Sequence, residues 1–438
     1  MTHSLTATRR GFLSFAAGAG ALVATGAGTA AAAPTPINTK ARIVILGAGA
    51  AGTALANRLT RRLNGAEITI IDPRKEHWYQ PGFSLIAAGL KPADYSVSQT
   101  AHWLPKNITW ISERAAEIDP DGNKVTTESG KSIPYDFLVL ATGLVLNYSA
   151  IEGFEMDMIG KDGIGSLYAG PDYAAKTWEA AGRYTEDGGV GIFTRPATEM
   201  KCAGAPIKHT FLIDDIARKA GTTKLDINYM AHNKGLFGVP IISEKLRMLF
   251  GQREITPHYS HVLKAVDAGK KVATFATENG DAEMPYDYLH IVPPQQAPDV
   301  IRNSALTDPG SWDGRGWATV DKHTLQHTFF DNVFAVGDIA GVPKGKTAAS
   351  VKWQVPVVEE HLIAQITGSK SDASYNGYTS CPLITRVGRA MLIEFDYDNN
   401  LTPSFPGVIA PLEELWISWL MKEVALKATY NAMIRGDA

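Results

Sequence analysis

Cysteine is nearly missing from this chain: its 438 residues hold two, Cys202 and Cys381. Two thiols this far apart make neither the disulfide framework of a small secreted scaffold nor a CxxC metal pattern. A basic field is missing as well. Lys and Arg number 42 against 45 Asp and Glu, for a net charge of −3, so nothing draws nucleic acid. Metal-ligand clusters are absent: His258/His261 and His323/His327 have suggestive spacings, but no cysteine or acid cluster accompanies them, and no metal is expected. Long apolar runs are weak. Residues 11–33 lack charge, but their large apolar side chains are few (Phe12, Leu13, Phe15, Leu22, Val23), too few for a convincing spanning helix. With 45% apolar and 20% charged residues, the rest has ample core for two or three domains and is not a disordered chain.

Residues 1–33 form a separate object. Thr8-Arg9-Arg10-Gly11-Phe12-Leu13 is a twin-arginine pattern, followed by an Ala/Gly-rich stretch and small-residue cleavage sites at Ala30-Ala31-Ala32-Ala33-Pro34. A removed export signal is expected, with the mature protein in the periplasm. That route exports folded chains, which suits a protein that collects a cofactor first. It also places both cysteines where a disulfide persists.

The strongest positive signal is Arg42-Ile43-Val44-Ile45-Leu46-Gly47-Ala48-Gly49-Ala50-Ala51-Gly52, an apolar strand cut by Gly-x-Gly-x-x-Gly and followed by a helix pattern. Gly47 permits the tight turn, Gly49 lets a pyrophosphate approach the backbone, and Gly52 lets helix and strand pack closely. Ala50 and Ala51 sit at the helix N-terminus, whose free N–H groups favour an anion. A second apolar strand, Glu67–Ile71, ends in Asp72, suited to accept hydrogen bonds from a ribose. The turn-rich aromatic loop after it, with Pro73 and Gln80, lines the cofactor cleft or is a surface excursion; spacing alone leaves both open. Two further strands end in small or acidic residues at the same sheet edge: Ala141-Thr142-Gly143 after 135–140, and Gly337-Asp338 after 332–336. Asp338 suits the ribityl hydroxyls of a flavin, with a structural turn as the plainer alternative. Pro294, closing the strand pattern at 285–292, is placed at the same cleft. Together these favour FAD.

A second βαβ unit opens at Gly189–Thr194, after a helix over Tyr173–Tyr184. No second glycine loop follows. The chain reads Arg195 through Pro206 instead, with Cys202 where phosphates would lie, which argues against a nicotinamide donor. Further along, a helix is expected over Leu212–Ala220, a strand over Leu225–Tyr229, and a helix from Lys346 to about Ile366. The expected fold class is α/β, with two Rossmann-like βαβ units in tandem. The FAD-binding domain is split over 41–155 and 285–370, a second unit without a glycine loop fills 156–284, and a C-terminal region covers 371–438. In the last, Leu412, Leu415, Trp416, Trp419, Leu420 and Val424 repeat at helical spacing, with Lys422, Lys427 and Arg435 among the more distal residues. This helix lies in a bilayer interface, docks on its own domain or forms a dimer contact; periodicity does not choose, and homo-oligomerisation stays open.

Tyr79–Phe83, Lys201–Pro206, Asp321–Thr328, Asn332–Asp338, Lys346–Ala349 and Gly377–Leu383 resemble, in order, segments of sulfide:quinone oxidoreductases with two redox cysteines. The resemblance implies tandem Rossmann-like domains of the disulfide-reductase type with a membrane-associating C-terminal region, non-covalent FAD, oxidation of hydrogen sulfide to sulfane sulfur and reduction of a quinone (ubiquinone or menaquinone). It implies a Cys202–Cys381 redox disulfide beside the flavin, with Cys381 taking the persulfide and Cys202 facing the flavin. A structural disulfide and two unrelated thiols are the alternatives. Lys346 is a candidate to stabilise reduced flavin, or else a solvated loop lysine, and Trp416 and Trp419 are candidate walls of a quinone pocket, or core packing. Two other functions stay open. One is the flavoprotein subunit of a soluble sulfide dehydrogenase that reduces a cytochrome c, a relative in which export is more typical; the other is a non-catalytic flavin-binding sulfur carrier.

Overall fold

The computed structural model describes residues 35–308 and 314–437; the twin-arginine segment lies outside them. Strand β1 (Arg42–Leu46) has four buried residues of five, because a run of β-branched and leucine side chains suits a strand covered on both faces. It turns into α1 (Ala50–Arg62) and returns as β2 (Glu67–Ile71). Strands β3 (Thr109–Ile111) and β4 (Phe137–Leu140) follow. The chain then builds a second unit from β5 (Ile164–Gly165), α2 (Pro171–Asp187), β6 (Gly189–Thr194), α3 (Ala205–Ala220), β7 (Leu225–Met230), α4 (Pro240–Gln252), β8 (Ile255–His258) and β9 (Tyr288–His290). It comes back with β10 (Val333–Ala335) and α5 (Ala348–Thr367), adds the hairpin β11 (Thr379–Arg386) and β12 (Arg389–Phe395), and closes with a helix over residues 416–434.

Both main sheets are parallel and five-stranded, in the orders β10-β4-β1-β2-β3 and β5-β9-β6-β7-β8. In the first, the connections from β1 run outward to β2 on one side, while β4 lies on the other. The crevice at the carboxyl ends of β1 and β4 is therefore the switch point where open α/β sheets bind ligands. Two small antiparallel sheets, one after β3 and one before β9, bridge the passes.

Two elements differ from their sequence reading. Helix α3 begins at Ala205, not near Leu212, with Pro206 in its first turn. Proline there has no intrahelical N–H to lose and a φ suited to helix, so the segment that replaces the glycine loop ends by starting a helix. The terminal helix is α-helical over Trp416–Leu420, widens to a π turn over Met421–Ala425 and resumes as α over Leu426–Ile434. It docks on its own chain: Tyr430, Met433 and Ile434 join the core around the first sheet. The hairpin packs instead on the second unit, where Leu383, Met391 and Ile393 share a core with Ile207 and Phe211 of α3. Among the described residues no helix is long and apolar enough to cross a membrane.

Candidate active site

A cleft of about 650 Å³ opens at the switch point of the first sheet. Its floor is the glycine turn. Gly47 has φ +109°, and a Cβ there would lie 2.3 Å from the Ala141 carbonyl oxygen; one at Gly52 would lie 1.9 Å from the Gly47 oxygen. Both glycines are sterically compelled, whereas a Cβ at Gly49 would meet only the Arg74 side chain, at 3.6 Å. Helix α1 starts here with no side-chain cap and no acid in its first turn, so its positive pole is left for a ligand's phosphate. Gly49, Ala50, Ala51, Gln80, Ala141, Thr142, Gly143, Gly337, Asp338 and Lys346 all line the cleft. The donor set suits an elongated dinucleotide with a pyrophosphate at α1 and a carboxylate, Asp338, at its far end.

Three expected cofactor residues stand behind the wall. The buried Asp72 carboxylate accepts the Ala48 N–H at 2.7 Å and the Arg74 N–H at 2.8 Å, and pairs with the Arg74 guanidinium at 3.1 Å. It shapes the turn, and Arg74 is the group that reaches the cleft. Pro73 is the link between the two. Pro294 accepts the Asn147 amide, next to the Gln295 side chain that receives the Lys201 N–H at 2.9 Å.

The two cysteines converge on this cleft from different elements. The loop after β6 delivers Cys202, and β11 delivers Cys381. Cys202 is held at φ +47°, its N–H donating to the Lys346 carbonyl and its own carbonyl receiving the Tyr168 hydroxyl and the Ala205 N–H. Gly204 makes room: a Cβ there would sit 2.6 Å from the Cys381 sulfur. The cysteines are thiols in this structure, in hydrogen-bonding contact rather than joined. The hydrogen bond from Cys381 and the nearby Lys208 and Lys422 ammonium groups outweigh burial and hold the Cys202 thiol well below its ordinary value. The same hydrogen bond, with burial, pushes Cys381 well above its own. The N-terminus of α3, directly after the loop, adds to the field favouring a Cys202 thiolate.

Lys208 and Lys422 are the residues sequence reasoning missed at the sulfurs. Lys208 is buried in the first turn of α3 with Nζ 3.5 Å from the Cys202 sulfur. Burial disfavours its charge, but the two sulfurs outweigh that and raise it. Lys422, which periodicity grouped with the cations of an amphipathic helix, points inward instead, 2% exposed, and donates to the Pro81 carbonyl at 2.5 Å. Burial, with Lys208 beside it, brings it down to about 7. The π turn supplies the extra residue that re-aims the helix at this point. Lys346 is no solvated loop lysine: it is buried, donates to the Asp338 and Ala340 carbonyls at 2.7 and 3.1 Å, and lies 3.8 Å from the Trp317 ring centroid.

The quinone-pocket candidates are not brought to the cleft. Trp419 is buried with Leu85, Leu212, Ile384 and Ala390, and Trp416 lies on the outer surface at 46% exposure. One turn is the reason: helical spacing puts Lys422, Leu426, Thr429, Tyr430 and Met433 on the cleft side. Lys427 and Arg435 likewise fold back, over the Tyr95 and Trp103 rings. The histidine pairs do not gather ligands either, His258 bonding Asn228 and His327 the Leu306 carbonyl.

The pyridine nucleotide-disulphide oxidoreductase family model matches residues 41–169, which hold the glycine turn and Ala141-Thr142-Gly143. Over 422 residues the chain is 35% identical to the mitochondrial sulfide:quinone oxidoreductase of Mus musculus, covering 93% of this chain and 91% of that one. It is also 35% identical to the mitochondrial sulfide:quinone oxidoreductase of Dictyostelium discoideum, covering 90% of this chain and 86% of that one. The crystal structure of the Aquifex aeolicus sulfide:quinone oxidoreductase superposes with a TM-score of 0.76 at 24% identity, covering 91% of this chain and 92% of that one; it attests to the fold. A cofactor cradle and a convergent cysteine pair, built on a chain alike over nearly its whole length to these relatives, carry one conclusion: the protein belongs to the sulfide:quinone oxidoreductase family.

Proposed function

We propose that the chain oxidises hydrogen sulfide to sulfane sulfur at Cys202 and Cys381 and passes the electron pair through FAD to a quinone. The observation that carries this is the meeting of the chain's two cysteines, from two separate elements, at the cleft that fits the dinucleotide. In the oxidised enzyme the pair is a disulfide. Hydrosulfide attacks the Cys381 sulfur, a new S–S bond forms there, the Cys202–Cys381 bond breaks, and Cys202 leaves as thiolate. The leaving sulfur in such an exchange is the one with the more acidic thiol. The Lys208 ammonium, 3.5 Å from the Cys202 sulfur, supports giving that part to Cys202 and the persulfide to Cys381. Lys208 holds the emerging negative charge, and Lys422 adds a second cation while protonated. Passing the outer sulfur of the persulfide to a nucleophilic acceptor would free the Cys381 thiolate, and closing the Cys202–Cys381 bond again would release an electron pair, which FAD, when bound, would accept and pass to the quinone. Lys346, fixed by two carbonyls at the cleft wall, is a cation for the reduced side of that exchange.

Anaerobic mixing with sulfide tests the reading. Flavin bleaching reversed by a soluble quinone analogue is the expected result. Bleaching reversed only by cytochrome c would favour the soluble dehydrogenase, and no bleaching would overturn both. The names of the relatives favour quinone over the cytochrome partner and over a mere sulfur carrier. Our reading further places the mature protein in the periplasm on the cytoplasmic membrane. The twin-arginine pattern supports the first part, and the exposed Phe405, Val408 and Val424 of the C-terminal region support the second.

A further inference from the structure

The terminal helix forms one wall of the dinucleotide cleft, and two sets of contacts hold it there. At its carboxyl end α1 grips it. Asn57 donates to the Ile434 carbonyl at 2.9 Å, and Arg61 donates to the Arg435 and Gly436 carbonyls at 2.6 and 3.1 Å and pairs with Asp437 at 2.8 Å. Nearer the cleft, His77 joins it to the glycine turn. The His77 Nε2 lies 2.7 Å from the Tyr430 hydroxyl, and the ring also makes a hydrogen-bonding contact with the backbone of Ala48, inside the Gly47–Gly52 turn. His77 is 4% exposed and Tyr430 6%. Burial keeps the imidazole neutral at physiological pH, and a neutral ring has one nitrogen that donates and one that accepts, so it can serve both contacts at once. The Tyr79 ring packs edge-on against Tyr430 at 5.0 Å, in the segment whose Pro81 carbonyl holds Lys422. The same helix α1 thus points its N-terminus at the cleft and clasps the end of the chain with its last turns.

We propose that the terminal helix is a clasp on the FAD site, jointed by the hydrogen bond between His77 and Tyr430, so that FAD retention and helix docking are one coupled equilibrium. This rests on the FAD reading above. By linkage, whatever loosens the helix weakens FAD, and FAD in turn tightens the helix by the same factor. A buried hydrogen bond lost with its partner left unpaired changes an equilibrium by roughly five- to a hundredfold.

The test uses the holoenzyme, with FAD release followed by the rise in flavin fluorescence on dilution. His77→Gln and Tyr430→Phe are each expected to speed release by about tenfold. The double variant is expected to be no faster than the more affected single one, because both remove the same joint. Additive effects, or unchanged release, would overturn the proposal. A second measurement needs no substitution: amide exchange over residues 426–434 in the unmodified protein, with FAD depleted and with FAD restored. Slowing by FAD of at least several-fold is expected, and equal exchange in both states would overturn the clasp. The two readings fail separately, since protein that neither carries nor takes up FAD would contradict the cofactor assignment itself.

Discussion

At the scale of single residues, the site turns on which of two thiols gives up its proton. Lys208 is the decisive neighbour because it is buried, fixed on the first turn of α3 and within hydrogen-bonding distance of the Cys202 sulfur. Lys208→Met is expected to raise the Cys202 pKa and to slow its alkylation at neutral pH by about tenfold or more, read from the rate against pH in the dithiol enzyme. A role in packing alone would leave that profile in place. Gly204→Ala tests the geometry: with a Cβ 2.6 Å from the Cys381 sulfur, the sulfurs must separate. The expected outcome is loss of sulfide-driven flavin reduction with FAD still bound. Neither residue stood out in the sequence as chemistry. Lysine six positions after a cysteine has no signature, and what makes Lys208 matter is its burial against β11, a contact across most of the second half of the chain. Lys422 was legible as a cation but not in its direction, since it lies inside a π turn that breaks the 3.6-residue spacing.

Among the elements, those whose role is local were the readable ones. The turn from β1 to α1 declares itself because its glycines answer to atoms a few residues away: Gly52 faces the Gly47 oxygen, and Gly47 faces the strand that ends at Ala141. Gly52→Ala is therefore expected to force the turn open. The protein would purify without FAD and lose about 2 kcal/mol or more of stability by urea denaturation. Asp72 shows the limit of such motif reading. Its place after β2 was right, but its carboxylate is committed to the Ala48 amide and to Arg74, which no spacing rule encodes. The start of α3 was misplaced because proline both stiffens loops and begins helices, and only the packing of Ile207 and Phe211 into the second core decides between them. The pairing of the cysteines came from resemblance. The structure brings the two thiols near each other, since β11 and α3 share one core, β11 carries Cys381, and Cys202 lies in the loop just before α3.

For the whole molecule, buried neutral histidines tie stability to pH. His209 is enclosed against Tyr288, 2.6 Å from its hydroxyl, and burial lowers it to about 3; burial, more than any neighbouring charge, lowers His77 to about 4. Both are neutral in the folded chain and take a proton near pH 6.5 once unfolded. The unfolded state then binds more protons, so their contribution is complete above about pH 6.5 and is lost as pH falls through the window toward 4 and 3. Each is worth about 1.4 kcal/mol per pH unit there, so urea midpoints are expected to fall steeply below pH 6, and His209→Gln to flatten that slope. The two Rossmann-like units, the hairpin and the terminal helix together serve one purpose, which is to hold a sulfur pair at a flavin site. The most direct test of that claim is anaerobic sulfide mixing with the FAD-loaded Cys202→Ser and Cys381→Ser variants, followed by flavin absorbance. The account expects bleaching to be abolished in both while FAD stays bound; sulfide-driven reduction surviving in either variant would contradict it.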